Sequence, residues 1–218
     1  MYLNSLRLLV LMRNNKLIFF ILIALVLLVV CFYFDAEIIR KISSIRNSIL
    51  DELFIGITFV SSEIIIFFFL TSLFLWSEYK RKWILPLWVT LGLSVIISFI
   101  LKVSIHRLRP FQQGIVSLLP IFTNHNFISW NFSFPSFQAM LAFCAVPVLY
   151  KEFPRLKYAW ILFAGLVAFS RVYFGLHFMS DVIAGSIIGY LIGVIVIMAE
   201  KKSKFGEKIY KKLVSKTN

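Results

Sequence analysis

Residues 158–199 read YAWILFAGLVAFSRVYFGLHFMSDVIAGSIIGYLIGVIVIMA. Two apolar runs, Tyr158–Phe174 and Asp181–Ala199, flank a short insert. Each run is long enough to cross a hydrocarbon core of about 30 Å as a helix. Within the second run Gly185, Gly189 and Gly193 recur every fourth residue, so they share one helix face and let another backbone approach closely. The first run ends, and the second begins, with groups that are costly at a membrane unless something uses them: Ser170, Arg171, His177 and Asp181.

The same alternation extends to the whole chain. Of its 218 residues 60% are hydrophobic, and the mean hydropathy is +0.89; a water-soluble domain carries about 45–50% apolar residues. Four further apolar blocks are expected as spans, at Leu17–Phe34, Leu53–Trp76, Trp83–Leu101 and Ser136–Tyr150. The expected fold is therefore an all-α membrane bundle of six transmembrane helices over residues 1–200, followed by a basic tail over 201–218. The stretch from Lys102 to Pro135 is the longest without a span, a length that points to function. Cys31 and Cys144 both lie inside apolar blocks, so they are expected as small core residues rather than a disulfide.

A net charge of +13 would suggest nucleic acid in a soluble protein. Here the basic residues lie between apolar blocks and in the tail, where they set orientation and meet anionic lipid headgroups, so nucleic acid is not an expected partner. With six spans, 16 Lys and Arg fall on the side of the termini and 7 on the other. Both termini are thus expected in the cytoplasm of a multi-pass cell-membrane protein. Lys102, Arg107, Arg109 and Arg171 oppose that rule and need another explanation. Glu63, near the middle of the second span, must face protein or water, either in a cavity or in a structural hydrogen bond. The glycine stripe suits packing inside the bundle, with a homodimer as the alternative. Tyr173 and Trp130 suit an aromatic belt at the membrane surface.

Three segments fall on the extracytoplasmic side. The first is Lys102-Val-Ser-Ile-His106-Arg107-Leu-Arg109-Pro110, the second Pro135-Ser136-Phe137-Gln138, and the third runs from Ser170-Arg171 through His177 to Asp181. Arginine offers a planar fork of donors and lysine a compact charge, so Arg109, Arg171, Lys102 and the weaker member Arg107 suit phosphate oxygens. Ser136 opens a helix, where free N–H groups attract anions, and would add its hydroxyl beside the N–H groups of Phe137 and Gln138. His177 and Asp181 stand one helical turn apart if the last helix begins by His177. The carboxylate would then fix the ring, leaving the other nitrogen to attack phosphorus.

These residues resemble the three-part signature of the PAP2 (type-2 phosphatidic acid phosphatase) superfamily: KxxxxxxRP, PSGH and SRxxxxxHxxxD. The first part is matched at Lys102, Arg109 and Pro110, and the third at Ser170, Arg171, His177 and Asp181. The resemblance implies a lipid phosphatase that works through a phosphohistidine on His177, without cofactor or metal. The sequence itself has no cluster of outer carboxylates suited to a catalytic metal.

The second part departs from the pattern, with Phe137 in place of Gly and Gln138 in place of His. The resemblance makes that histidine the general acid, and an amide has no proton to give. Three meanings follow. The leaving group needs no proton, as when a phosphate monoester with a pKa of roughly 6 departs from a lipid diphosphate. Another acid substitutes, with His106 and His125 as candidates. Or hydrolysis is lost and the site binds or moves a lipid phosphate. The expected activity is hydrolysis of a polyprenyl diphosphate. A lipid phosphotransferase, which would use the same residues, and a non-catalytic binder or transporter are the alternatives. Asn131-Phe132-Ser133 fits a glycosylation triplet but lies too near the membrane and the pocket to be read as one.

Overall fold

The computed structural model of the chain describes residues 2–123 and 132–215. All regular structure among them is helical: α1 (Tyr2–Ser44), α2 (Ser48–Val60), α3 (Glu63–Leu75), α4 (Glu78–Arg81), α5 (Ile84–Ile105), α6 (Pro120–Thr123), α7 (Phe137–Cys144), α8 (Val146–Glu152), α9 (Leu156–Tyr173), α10 (Met179–Ser203) and α11 (Phe205–Val214).

The expected blocks are helical, but their limits differ for local chemical reasons. No Gly or Pro interrupts residues 17–44, so the first helix runs past Phe34 and Asp35 to Ser44. Asn47 then caps α2, its side chain accepting from the Leu50 N–H at 3.0 Å. The block expected as one span at Leu53–Trp76 is two helices bent by 61°. At the break the Ser61 hydroxyl donates to the Thr58 carbonyl, and Ser62 is extended, with φ −61° and ψ 147°. Serine hydroxyls compete with the helical ladder for backbone partners in this way. The block at Ser136–Tyr150 is also divided, at Ala145, because Pro147 lacks the N–H that would continue the ladder. The helix α5 continues past Leu101 to Ile105, which places Lys102 on its last turn.

Among the described residues three elements are long and apolar enough to cross a membrane: Glu78–Ile105, Leu156–Tyr173 and Met179–Ser203. The bent α2–α3 pair makes a fourth if it is one span. Large apolar side chains such as Val29, Phe68, Ile96, Phe99, Ile195 and Met198 point outward and are exposed. Surfaces of that kind are covered by lipid in a membrane protein and would associate in water.

The bundle is organised around α10, which packs most extensively on α7 and also meets α1, α5, α8 and α9. The glycine stripe makes this possible inside one chain. A side chain at Gly185 would meet the Ser136 backbone, at Gly189 the Met140 backbone, and at Gly193 the Cys144 carbonyl and Pro147. Backbones this close leave no room for a methyl group. Behind the contact lie Leu70, Leu87, Leu149 and Val148, all fully buried. The basic tail forms α11, held to the end of α10 by Glu200, whose carboxylate accepts from the Gly206 N–H at 2.8 Å and the Glu207 N–H at 3.2 Å. Cys31 and Cys144 are free thiols.

Two substitutions of the same kind should act in opposite directions. Gly189→Ala forces its methyl onto the Met140 backbone and is expected to cost about 1–3 kcal/mol. Gly92→Ala meets nothing within 4 Å and, by restricting the unfolded chain, should be neutral or stabilising by up to about 1 kcal/mol. Thermal unfolding of both variants in one detergent checks the pair.

Candidate active site

The site forms where five stretches of chain meet: the end of α1, the α2–α3 break, the end of α5, the start of α7, and the turn from α9 into α10. Asp181 ties several of them together. Its Oδ1 accepts from Arg107 Nη1 at 2.6 Å; its Oδ2 accepts from the Ser133 hydroxyl at 2.5 Å and from the Phe178 N–H at 2.8 Å. Its backbone carbonyl accepts from the Ser136 N–H at 3.0 Å. The bond to Phe178 also caps α10, where a carboxylate is favoured by the free N–H groups of the first turn.

His177 lies in the turn ahead of that cap and is 1% exposed. Its Nδ1 is 2.7 Å from the Ser133 carbonyl oxygen. A carbonyl can only accept, so Nδ1 carries the proton and Nε2 keeps its lone pair. Nε2 in turn lies 3.3 Å from Arg109 Nη1, a donor. Burial, and then the charges of Arg109, Lys102 and Arg171, hold the imidazole well below its ordinary pKa. His177 is therefore a neutral ring whose unprotonated Nε2 faces Arg109.

Three cationic side chains lie within electrostatic reach of His177. Arg109 is 5% exposed and also donates to the Leu176 carbonyl at 2.8 Å. Burial lowers its pKa to about 10, which leaves it charged at neutral pH. Arg171, 4% exposed, donates from Nη2 to the Thr58 hydroxyl at 2.5 Å and from Nε to the Ser170 hydroxyl at 3.2 Å. Lys102 donates to the Phe132 carbonyl. Three buried cations within electrostatic reach of one imidazole repel one another unless an anion joins them. Ser136, fully buried at the start of α7, has a hydroxyl with no hydrogen-bond partner. Buried hydroxyls in native structures are nearly always hydrogen-bonded, so this one stands out.

The geometry differs from the expectation at several residues. The last helix starts at Met179 rather than by His177, so Asp181 stands 3.9 Å from the ring, and the Ser133 carbonyl is the close partner instead. Arg107, expected beside the phosphate, is committed to two carboxylates. Its Nη2 donates to Asp35 at 2.7 Å, and its guanidinium lies between the rings of Phe32 and Phe178 at 4.7 and 4.1 Å. His106 closes α5 in the left-handed conformation, with its ring edge-on to Phe132 at 4.6 Å. His125 and Trp130 lie outside the described residues. Tyr173 is a buried core residue, not a belt residue; its hydroxyl donates to Asp51 at 2.6 Å. Among the described residues no group of three or more His, Cys, Asp or Glu is gathered as a metal site.

Several residues of the site had no clear signal in the sequence. Asp35 accepts from Arg107, the Ser180 N–H and the Ser180 hydroxyl, and so ties α1 to α10. An acid just past an apolar block was its only mark. Ser133, two residues before Pro135, holds both His177 and Asp181. Thr58 carries no motif at all. Glu63 does lie at the site, where its Oε1 accepts from Gln138 Nε2 at 3.3 Å.

Comparison with known proteins bears on what this arrangement does. The PAP2 superfamily pattern matches residues 83–204, more than half of the chain. Phosphatidylglycerophosphatase B of Bacillus subtilis (strain 168) is 30% identical over 186 residues, covering 78% of this chain and 85% of that protein. Undecaprenyl-diphosphatase of Sulfolobus acidocaldarius is 26% identical over 174 residues, covering 77% and 79%. The crystal structure of Aquifex aeolicus LpxE superposes with a TM-score of 0.61 at 27% identity, covering 76% of this chain and 95% of that one. Family pattern, relatives and membrane-type helices agree, and the protein belongs to the PAP2 superfamily, as a phosphatase of the membrane.

Proposed function

We propose that the protein hydrolyses the terminal phosphoryl group of a polyprenyl diphosphate through a phosphohistidine on His177. The observation that carries this reading is the state of His177: Nδ1–H held by the Ser133 carbonyl, and a free Nε2 beside Arg109. Arg109, Arg171 and Lys102 would hold the phosphoryl oxygens, with the Ser136 hydroxyl taking one more. Asp181 acts through Ser133 and Phe178 as a positioning residue, and Arg107 holds Asp181. In this reading six helices cross the cell membrane, both termini lie in the cytoplasm, and the site opens on the extracytoplasmic side. A lipid then presents its headgroup while its tail stays in the bilayer.

In the first step His177 Nε2 bonds to the terminal phosphorus, and the bond from phosphorus to the bridging oxygen breaks. That oxygen leaves on the polyprenyl monophosphate. In the second step water bonds to phosphorus, the P–N bond breaks and Nε2 recovers its lone pair; inorganic phosphate departs carrying the water's oxygen and protons, in exchange with solvent. The cations stabilise charge on the equatorial oxygens, which is the main catalytic term in phosphoryl transfer. Gln138 directs the choice of substrate. An alkoxide leaving from a phosphate monoester needs a proton that an amide cannot supply, whereas a phosphate monoester with a pKa of roughly 6 does not. A relative that carries the name undecaprenyl-diphosphatase supports the same choice.

Three outcomes are expected. Detergent-purified protein without added metal should release phosphate from a polyprenyl diphosphate far faster than from phosphatidate, and His177→Ala should reduce release at least about a thousandfold. Equal rates on the two lipids would refute the leaving-group account; release by the alanine variant would refute the nucleophile. The active form has a neutral His177, and its pKa is depressed, so protonation sets in only at lower pH. The acidic limb of kcat/KM, which reports the free enzyme, should therefore fall below the ordinary imidazole value of about 6.5. Finally, Arg107→Leu leaves Asp35 and Asp181 buried and unpaired, and should lower stability by about 3 kcal/mol or more. Arg109→Leu should instead lower activity with little loss of melting temperature.

A further inference from the structure

Gln138 stands in the first turn of α7, two residues after Ser136, and has a partner there. Its amide nitrogen lies 3.3 Å from Glu63 Oε1, at the first turn of α3 just beyond the Ser61–Ser62 break. An ionised carboxylate only accepts, so it can hold the nitrogen end of the amide and not the oxygen end. One amide hydrogen is used on Glu63, and the second remains for another acceptor. Without Glu63 the amide could turn and present its carbonyl oxygen to the anion, where it would repel. The bend at Ser61–Ser62 is what brings Glu63 to this place, within electrostatic reach of Arg171.

The position also defines a direction. An open groove of about 490 Å³ starts at Glu63 and Phe137 and continues between α3, α5 and α7 along Phe67, Leu91, Val95 and Leu141. Apart from Glu63 these lining residues are apolar, as a hydrocarbon chain requires. A lipid tail entering there leaves with the leaving phosphate. The groove thus begins at the residue that holds Gln138, and a tail lying in it would bring its phosphate toward the pair.

We infer that Glu63 is a positioning residue that fixes the Gln138 amide so that its second N–H donates to the leaving oxygen. The pair supplies a hydrogen bond where a proton donor is absent, and so favours a leaving group stable as an anion. The inference rests on the phosphatase reading above and deepens it.

The test is a double-mutant cycle of E63Q and Q138A, read by calorimetric binding of orthovanadate, whose apical oxygen occupies the leaving position, and by turnover of a polyprenyl diphosphate. With Gln138 present, E63Q should weaken orthovanadate binding about fivefold and lower kcat by a similar factor, with KM unchanged. In the Q138A background the same change should alter neither value by more than about twofold. E63D keeps the acceptor but shortens its reach, and should fall between wild type and E63Q; it serves as the readout if E63Q does not fold. Equal losses in both backgrounds, or no loss in either, would overturn the inference. Wild-type protein that binds orthovanadate yet hydrolyses neither lipid would overturn the phosphatase reading alone, because the binding cycle still measures the coupling of Glu63 to Gln138.

Discussion

The carboxylate of Asp181 accepts three hydrogen bonds, from Arg107, Ser133 and Phe178, and much of the rest of the site depends on it. A buried charge is tolerated only when it is paired and its lone pairs are filled. To fill them the chain must bring together the loop after α5, the segment before α7 and the turn before α10. Ser133, held to Asp181 by its hydroxyl, also meets His177 Nδ1 with its carbonyl. The His177 ring is thus oriented through Ser133 rather than by close contact with the carboxylate one turn away. Arg107 is shared with a second carboxylate, Asp35, which ties α1 to the site.

Packing and chemistry are linked through α10. Its glycine stripe lets α7 approach until the Ser136 N–H reaches the Asp181 carbonyl. At the same contact the Ser136 hydroxyl is buried without a partner. A larger residue at Gly185 would separate the start of α7 from the histidine turn. The broken α2–α3 pair serves a related purpose. It brings Thr58 to Arg171 and Glu63 to Gln138, so that cations and amide are held before substrate arrives. Preorganisation of this kind is what electrostatic catalysis requires, since donors that must reorient lose their advantage.

Legibility in the sequence followed the range of the interactions. The apolar blocks, the glycine spacing and the residues Lys102, Arg109, Ser136, Arg171 and His177 could be read because span length, helical period and charge near a membrane are local properties. The breaks at Ser61 and Ala145 were harder to read. A serine or a proline inside an apolar block weakens the helical ladder without saying whether neighbours will tolerate a bend. Asp35, Ser133 and Thr58 were not legible as site residues, because each owes its role to a partner 48 to 145 residues away.

The sequence by itself determined that this is a helical membrane protein that keeps cations and a histidine at the ends of its apolar runs. The physical reason is that burial in lipid demands long apolar runs, and any charge retained beside them must be used. Only the tertiary structure decided who orients the histidine, that Arg107 is a strut between two carboxylates, and that Glu63 holds the residue standing in place of the missing acid. Those assignments depend on which acceptor lies within hydrogen-bond reach of which donor, and such distances are set by how helices bend and pack.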